Sequence, residues 1–220
     1  MARVEVTPEQ FTLVQYDAGV IAGLAEELAT KVGLPDDVPI HIEIDEELPL
    51  PLTGSTADVN DGRAELWFSG ANFEDGRHRA VFNEQLARTD LAMELFRARD
   101  RLEGFADAPV DEELTDAQRA AWEASGEGRA ARLGEVTRKV RRQYVFRLYN
   151  GFTDVADDAF EHLWAGDPFT WAELQALCAD RPSRMEAIQM IFSDPRSELL
   201  EQLDRKGAFG AYGGPQQEVR

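Results

Sequence analysis

The strongest constraint on the fold is a long apolar segment, AVFNEQLARTDLAMELFRARDRL, which the sequence predicts to be a helix over 80–102. Its apolar residues recur at spacings of three and four, which is the period of an α-helix. These residues are Val81, Phe82, Leu86, Leu91, Met93, Leu95, Phe96 and Leu102. Because they cover more than one stripe, we expect this helix to contact neighbours on two sides and to lie at the centre of the fold.

Three short segments predict a small sheet before this helix. IHIEI at 40–44 and RAELWF at 63–68 alternate, so that their apolar residues fall on one face. The turn NDG at 60–62 directly precedes the second segment, and TADV at 56–59 is predicted to pair with it across that turn. The sequence therefore predicts a three-stranded sheet packed on the long helix.

The N-terminal segment predicts the first helix. TPEQ at 7–10 combines a capping threonine, a proline at the first helical position and a glutamine three residues after the cap, which is typical of a helix start. The apolar pattern continues to Leu28, and Gly33 follows as the expected stop. Together with the sheet and the long helix, these residues predict an α+β domain over 1–103.

The rest of the chain predicts a mainly helical C-terminal half. The acidic segment 104–116 contains Pro109 and is interpreted as a linker. A helical region over 117–205 is expected to pack on the first domain, and the glycine-rich end at 206–220 is predicted to be a disordered tail. The predicted fold class is α+β, with a small three-stranded sheet packed on a long central helix and followed by this helical half.

Capping residues and glycines predict the individual helices of this half. Thr115 and Gln118 predict a capping box that opens a helix, which Gly126 and Gly128 are expected to interrupt. Further helices are predicted over about 132–150, over 152–164, and after Thr170, Ser183 and Asp194. In the helix predicted over about 132–150, the apolar residues fall on one side. They are Leu133, Val136, Val140, Tyr144 and Leu148.

Charge and cysteine content exclude some classes of partner. The formal net charge of −19 repels bare nucleic acid and anionic membranes, although a high-salt cytoplasm would explain the same acidity without any partner. Cys178 is the only cysteine, so no intrachain disulfide can form and a reducing compartment fits best. No apolar run approaches the ~18 residues of a membrane span, and we expect a cytoplasmic protein.

The order of elements in the first hundred residues resembles the minimal zincin-like metalloprotease domain. In that family a helix, a small sheet and an edge strand precede a long helix that bears the H-E-x-x-H motif. The corresponding helix at 80–102 contains no histidine, and Glu84 is the carboxylate in roughly the corresponding turn. The resemblance therefore implies a zincin-like core over 1–103 without its metal site, and the family's activity is carried over to no residue. The segment at 152–164 is similar to segments of uncharacterised proteins and implies no activity.

The three histidines are the candidate metal ligands. His41 faces outward from a predicted strand, and His78 lies in a charged turn. His162 shares a helix face with Asp158, so this pair could bind a divalent cation, with Glu84 as a further ligand. A solvated acidic helix face explains the same residues, and we expect no metal and no other cofactor.

Cys178 is the one candidate nucleophile, with His162 as its base. It lies on an apolar line with Leu174 and Leu177, which is typical of a cysteine that packs as a small hydrophobic residue. The sequence contains no phosphate-binding loop, no G-x-S-x-G elbow and no C-x-x-C pair, and we assign no catalytic residue.

The basic segment from Arg129 to Arg147 is the most distinctive local feature. Seven basic residues occur there against Glu135 alone, which gives a local charge of +6. Neighbouring guanidinium groups can clamp a phosphate or carboxylate group. The candidate binding residues are Arg138, Arg141, Arg142, Tyr144 and Arg147. The alternative is internal pairing with acidic surface elsewhere in the fold, such as 103–116 or 153–161.

These observations favour a non-catalytic protein that acts by binding a protein or a small anionic partner, with this basic surface and the aromatic residues of the tail, Phe209 and Tyr212, as its contact points. The alternative is a degenerate zincin-like metal-dependent hydrolase, with Glu84, His78 and His162 as its candidate residues. A phosphate or nucleotide binder at the same arginines is a third possibility. The net charge disfavours nucleic acid as a partner, and the oligomeric state stays open.

Overall fold

A computed structural model describes residues 3–48, 50–166 and 169–178. In chain order its elements are β1 (Val4–Thr7), α1 (Ala18–Val32), β2 (Ile40–Asp45), β3 (Ser55–Asn60), β4 (Arg63–Ser69), β5 (Glu74–Asp75), β6 (His78–Phe82), α2 (Glu84–Glu103), α3 (Asp116–Arg132), α4 (Lys139–Asn150), α5 (Asp154–Ala165) and α6 (Trp171–Cys178). Short 3₁₀ turns occur at Gly70–Phe73 and Asp111–Glu113. The helices predicted after Ser183 and Asp194 and the tail at 206–220 lie outside the described residues.

Four strands form a mixed sheet in the order β1-β2-β4-β3. The first three strands of this order are parallel, and β3 is an antiparallel edge strand. The register aligns Val6, Ile42, Leu66 and Ala57 in one buried row across the sheet. The α+β class and the β3–β4 hairpin are therefore confirmed, and β1 adds a fourth strand to the three that the sequence predicts.

The first helix begins later than the sequence predicts. Thr7 ends β1, so the predicted helix start at 7–10 is wrong. α1 begins instead at Ala18, where the side chain of Asp17 accepts a hydrogen bond from the backbone N–H of Val20 (3.0 Å). β1 forms because it pairs with β2, and this contact between distant segments outweighs the local capping signal.

α2 lies at the centre of the fold, as predicted. It packs against α1, α3 and the sheet, and residues on all its sides are buried. Leu91 packs in the core that the sheet forms with α1. The helix begins at Glu84 rather than near 80, because the preceding residues form β6 and pair with β5.

α3 is continuous through Gly126 and Gly128, so the predicted interruption is wrong. Both glycines lie where another helix approaches closely. A Cβ at Gly126 would lie 2.9 Å from Cγ of Met93 in α2, and a Cβ at Gly128 would lie 2.2 Å from the carbonyl oxygen of Trp164 in α5. Close packing against two helices therefore offsets the helix cost of each glycine, which is about 1 kcal/mol.

α4 begins at Lys139 rather than near residue 132. Gly134, with φ of 90°, lies in the connection after α3. Phe146 is the buried aromatic residue of α4 and packs in a second hydrophobic core together with residues of α3, α5 and α6. The apolar side that the sequence predicts for this helix is largely exposed, at Val140, Tyr144 and Leu148.

A second core joins α3, α5 and α6 around an aromatic group. Trp122 stacks on Phe105 with 4.6 Å between ring centroids, and Trp171 lies 6.0 Å from Trp122. Phe105 and Leu114 come from the segment 104–116, so the acidic segment supplies apolar residues to this core. Within the described ranges, no helix combines the length and apolar character needed to cross a membrane.

The outer edge of β3 is covered by α2. Nε of Arg101 donates a hydrogen bond to the carbonyl oxygen of Ala57 (2.7 Å), which faces away from β4. The Arg101 guanidinium also pairs with Asp58 and with the fully buried Asp111. Asp111 accepts from Arg97 as well, so a buried ion network links α2 to the segment before α3.

Candidate functional site

A cleft of about 470 Å³ lies between α2, α3, the start of α4 and the loop before β3. Its volume falls in the range of small-molecule sites. We call it the central cleft. The charged residues of its lining are Glu74, Asp90, Glu123, Glu127, Arg138, Arg141 and Arg142, and Asn72 adds a neutral amide.

Asp90 contributes a carboxylate to the central cleft from the middle of α2. Nδ2 of Asn72 donates a hydrogen bond to Oδ2 of Asp90 (2.9 Å). Asn72 is itself fixed, because its Oδ1 accepts from the backbone N–H of Gly54 (2.9 Å) and from the hydroxyl of Ser69 (2.8 Å). A backbone N–H can only donate, so the amide nitrogen of Asn72 has to face Asp90. This hydrogen-bond network holds the carboxylate in one orientation.

Burial raises the pKa of Asp90 from its ordinary value of 3.8 to about 6. The hydrogen bond from Asn72 and the positive charge of Arg142 oppose this increase, whereas the negative charges of Glu127 and Glu123 add to it. A carboxyl group that titrates near neutral pH within a cleft is characteristic of functional sites.

Glu94 lies one turn further along α2 and is fully buried. Ser55, which lines the cleft, donates its hydroxyl to Oε1 of Glu94 (2.6 Å), and Arg97 donates to Oε2 (2.9 Å). Burial raises the pKa of Glu94 to about 7, although the positive charge of Arg97 opposes the increase. Because Arg97 also pairs with Asp111, Glu94 belongs to the buried ion network rather than to the cleft wall.

Two of the five candidate binding residues, Arg142 and Arg147, pair with carboxylates of the chain itself. Arg142 pairs with Glu123 and Glu127 of α3. Arg147 forms a bidentate pair with Asp157 of α5, and both contacts measure 2.6 Å. These pairs agree with the internal-pairing alternative, and the two arginines are held by the fold.

Arg138 and Arg141 differ from these two arginines. Both line the central cleft, and both are exposed. Neither side chain forms an ion pair with a residue in the described ranges. The backbone N–H of Arg138 donates to Oε1 of Glu127 (2.8 Å), which anchors the start of α4. The cleft therefore has two guanidinium groups that can bind a ligand.

Tyr144 and Arg147 lie outside the central cleft. Tyr144 is 56% exposed, and its ring meets that of Phe152 edge-on with 6.1 Å between centroids. Of the five predicted binding residues, the structure therefore brings Arg138, Arg141 and Arg142 together at one cleft.

The candidate metal ligands are distributed over separate elements. Glu84 is exposed in the first turn of α2, whereas Asp158 and His162 are exposed on α5. His78 is exposed on β6, and Nδ1 of His41 lies 2.7 Å from a carboxylate oxygen in β4. Among the residues that the structure describes, no group of three or more His, Cys, Asp or Glu side chains could hold a metal ion.

Cys178 is buried in the second core, and its Sγ lies 3.8 Å from Oδ1 of Asn150. The prediction that it packs as a small hydrophobic residue is confirmed. His162, its predicted partner as a base, is exposed on α5.

Asp90 and Asn72 are not among the residues predicted from the sequence, although the sequence carries one signal for Asp90. Asp90, Glu94, Arg97 and Arg101 recur at spacings of four, three and four on the helix that was predicted to be buried on two sides. Ionisable residues on a buried helix face require partners, so this stripe predicts a polar site against α2. No comparable signal marks Asn72, which contacts Asp90 only in the folded chain.

No protein-family model, curated protein or solved structure matches the chain. The zincin-like resemblance therefore stays a prediction.

Proposed function

We propose that this protein acts without catalysis by binding a small anionic ligand in the central cleft. The observation that supports the proposal is that Arg138 and Arg141 both line the central cleft and have no carboxylate partner among the described residues. A guanidinium group presents paired N–H donors, which match the oxygens of a phosphate ester or a carboxylate.

The surrounding charges make these two arginines unusual. The chain carries a net charge of −19, so carboxylates are plentiful, and the nearby Arg142 and Arg147 each pair with acidic residues. A strongly acidic surface also repels polyanions. A small anion can instead enter the cleft, where it lies within a Debye length of the two guanidinium groups and is attracted by them. The distribution of charge therefore favours a small ligand over nucleic acid.

The start of α4 is fixed before a ligand binds. Glu127 accepts from the backbone N–H of Arg138 and from the side chain of Arg142, so one carboxylate anchors this segment to α3. A fixed backbone reduces the conformational entropy that is lost when the side chains of Arg138 and Arg141 order around a ligand.

The proposal can be tested by calorimetric titration at low salt with ethyl phosphate and, separately, with propionate. We expect the wild-type protein to bind at least one of them, and the double variant R138A/R141A to bind it at least tenfold more weakly, because hydrogen bonds between charged groups contribute about 1.5–3 kcal/mol. R3A is the matched control, since Arg3 is exposed next to β1, at the opposite edge of the sheet from β3.

Binding of ethyl phosphate alone would identify phosphate esters as the ligand class, and binding of propionate alone would identify carboxylates. Absence of binding by the wild-type protein would contradict the proposal. So would unchanged affinity in R138A/R141A, or an equal loss in R3A.

A further inference from the structure

The central cleft contains two charge imbalances of opposite sign. On the first wall, the carboxylates of Asp90, Glu123 and Glu127 lie around one guanidinium group, that of Arg142. Arg142 pairs directly with the two glutamates. Asp90 receives a hydrogen bond from the neutral amide of Asn72 but no ion pair from a described residue. This wall therefore carries an excess of negative charge, and Asp90 is its carboxylate without an ion pair among the described residues.

The second wall lacks a negative charge. Arg138 and Arg141 line it, and neither is paired with a carboxylate in the part of the chain that the structure describes. Glu127 anchors the backbone of Arg138, and Asn72 orients Asp90, so hydrogen bonds within the chain hold both walls in place. A ligand that supplies both missing charges would complement both walls at once.

We infer that the ligand of the central cleft is a small zwitterion, whose anionic group binds Arg138 and Arg141 and whose primary ammonium group binds the carboxylate of Asp90. The inference rests on the proposed anion site and adds a second point of recognition. Aminoalkyl phosphates and amino acids are the ligand classes that carry both groups.

The contacts of Asp90 fit this role. Asn72 occupies Oδ2 only, and within the described residues no hydrogen bond to Oδ1 is formed. Asp90 is partly exposed and lines the cleft, so Oδ1 can accept from a ligand. A primary ammonium group has three donors and tolerates a single carboxylate partner, whereas a tightly bound metal ion requires several ligands that the described residues do not provide.

Two pairs of probes that differ only in the amine test the inference. Ethyl phosphate is compared with 2-aminoethyl phosphate, and propionate with β-alanine, by calorimetric titration of the wild-type protein. We expect the amine to increase the affinity roughly tenfold in at least one pair, which corresponds to one hydrogen-bonded charge pair.

Two variants with substitutions in α2 test whether Asp90 causes the increase in affinity that the amine provides. D90N keeps the shape of the side chain and an oxygen acceptor for Asn72, so we expect the tenfold gain to disappear, with the amine-bearing and the amine-free probe binding D90N about equally. E84Q removes an exposed carboxylate from the same helix and serves as the matched control, in which the gain should persist.

A measurement on the wild-type protein provides a readout that does not depend on any variant. The ratio of β-alanine to propionate affinity should fall as the pH is lowered from 8 through 6, because protonation of Asp90 removes its charge while both probe carboxylates stay ionised. The charged groups that face Asp90 are Arg142 of α4 and Glu123 and Glu127 of α3.

The outcomes separate this inference from the proposed function. Failure of the wild-type protein to bind any of the four probes would overturn both. Binding of an amine-free probe that requires Arg138 and Arg141, without a gain from the amine, would overturn the zwitterion alone. Persistence of the gain in D90N, or a gain that does not change between pH 8 and pH 6, would overturn it as well.

Discussion

Asn72 donates its side-chain amide to the carboxylate of Asp90 across 2.9 Å, and this hydrogen bond ties the turn after β4 to the middle of α2. Asn72 has no charge, so the hydrogen bond orients the carboxylate without neutralising it. The folded protein therefore holds an acid in a cleft where its ionisation is disfavoured.

The first prediction concerns stability against pH in the variant D90N. The pKa of Asp90 is raised from 3.8 to about 6 in the folded state, so ionisation of Asp90 destabilises the fold. This destabilisation is small near pH 4, develops as the pH rises towards 6 and is complete above about pH 7. D90N should therefore be more stable than the wild-type protein by about 2–3 kcal/mol at pH 8, and nearly equal to it at pH 4.

Urea unfolding of both proteins at pH 4, 6 and 8 measures this difference. E84Q serves as the control, because Glu84 is an exposed carboxylate on the same helix. A difference between D90N and the wild-type protein that stays constant over this range would contradict the assignment of a raised pKa to Asp90.

The second prediction is that two adjacent arginines of α4, Arg141 and Arg142, contribute differently to the stability of the fold. R142A leaves Glu123 and Glu127 without their shared cation, and we expect it to lower the free energy of unfolding by about 3 kcal/mol. R141A removes an exposed guanidinium with no described ion pair, and we expect a change within about 0.5 kcal/mol. Thermal unfolding compares the two variants directly, and equal losses would show that Arg141 is also held by the fold.

The third prediction concerns the helical glycines. G128A would place a Cβ 2.2 Å from the backbone oxygen of Trp164, so α3 and α5 would have to separate, and we expect a loss of about 1–3 kcal/mol. G23A is the matched control within α1, where a Cβ would meet no atom within 4 Å. That variant should gain about 0.5–1 kcal/mol from helix propensity. Unchanged stability in G128A, measured by urea unfolding, would contradict the close approach of α5.

The sequence predicts the elements whose signals are local. The alternation at 40–44 and 63–68 gives two strands, because one face of each is buried in the sheet. Gly33 ends α1 with φ of 81°, as its position predicts, and Thr115 and Gln118 form the predicted capping box. Each of these features depends on a few neighbouring residues, and all of them are confirmed.

The sequence signals fail where distant segments decide the outcome. TPEQ at 7–10 has the pattern of a helix start, but pairing with β2 draws Thr7 into a strand. Gly128 has the pattern of a helix break, but contact with α5 preserves the helix. The basic segment is visible in the sequence, whereas only the packing of α3 against α4 distinguishes the paired Arg142 from Arg138 and Arg141.

The contact between Arg101 and β3 affects how the protein behaves at high concentration. An edge strand with unsatisfied backbone groups is a template onto which a strand of another molecule can add. Arg101 donates a hydrogen bond to the outward-facing carbonyl oxygen of Ala57. Its ion pairs with Asp58 and Asp111 keep charged groups along that edge. One guanidinium group thereby helps to protect the protein from aggregation through its sheet.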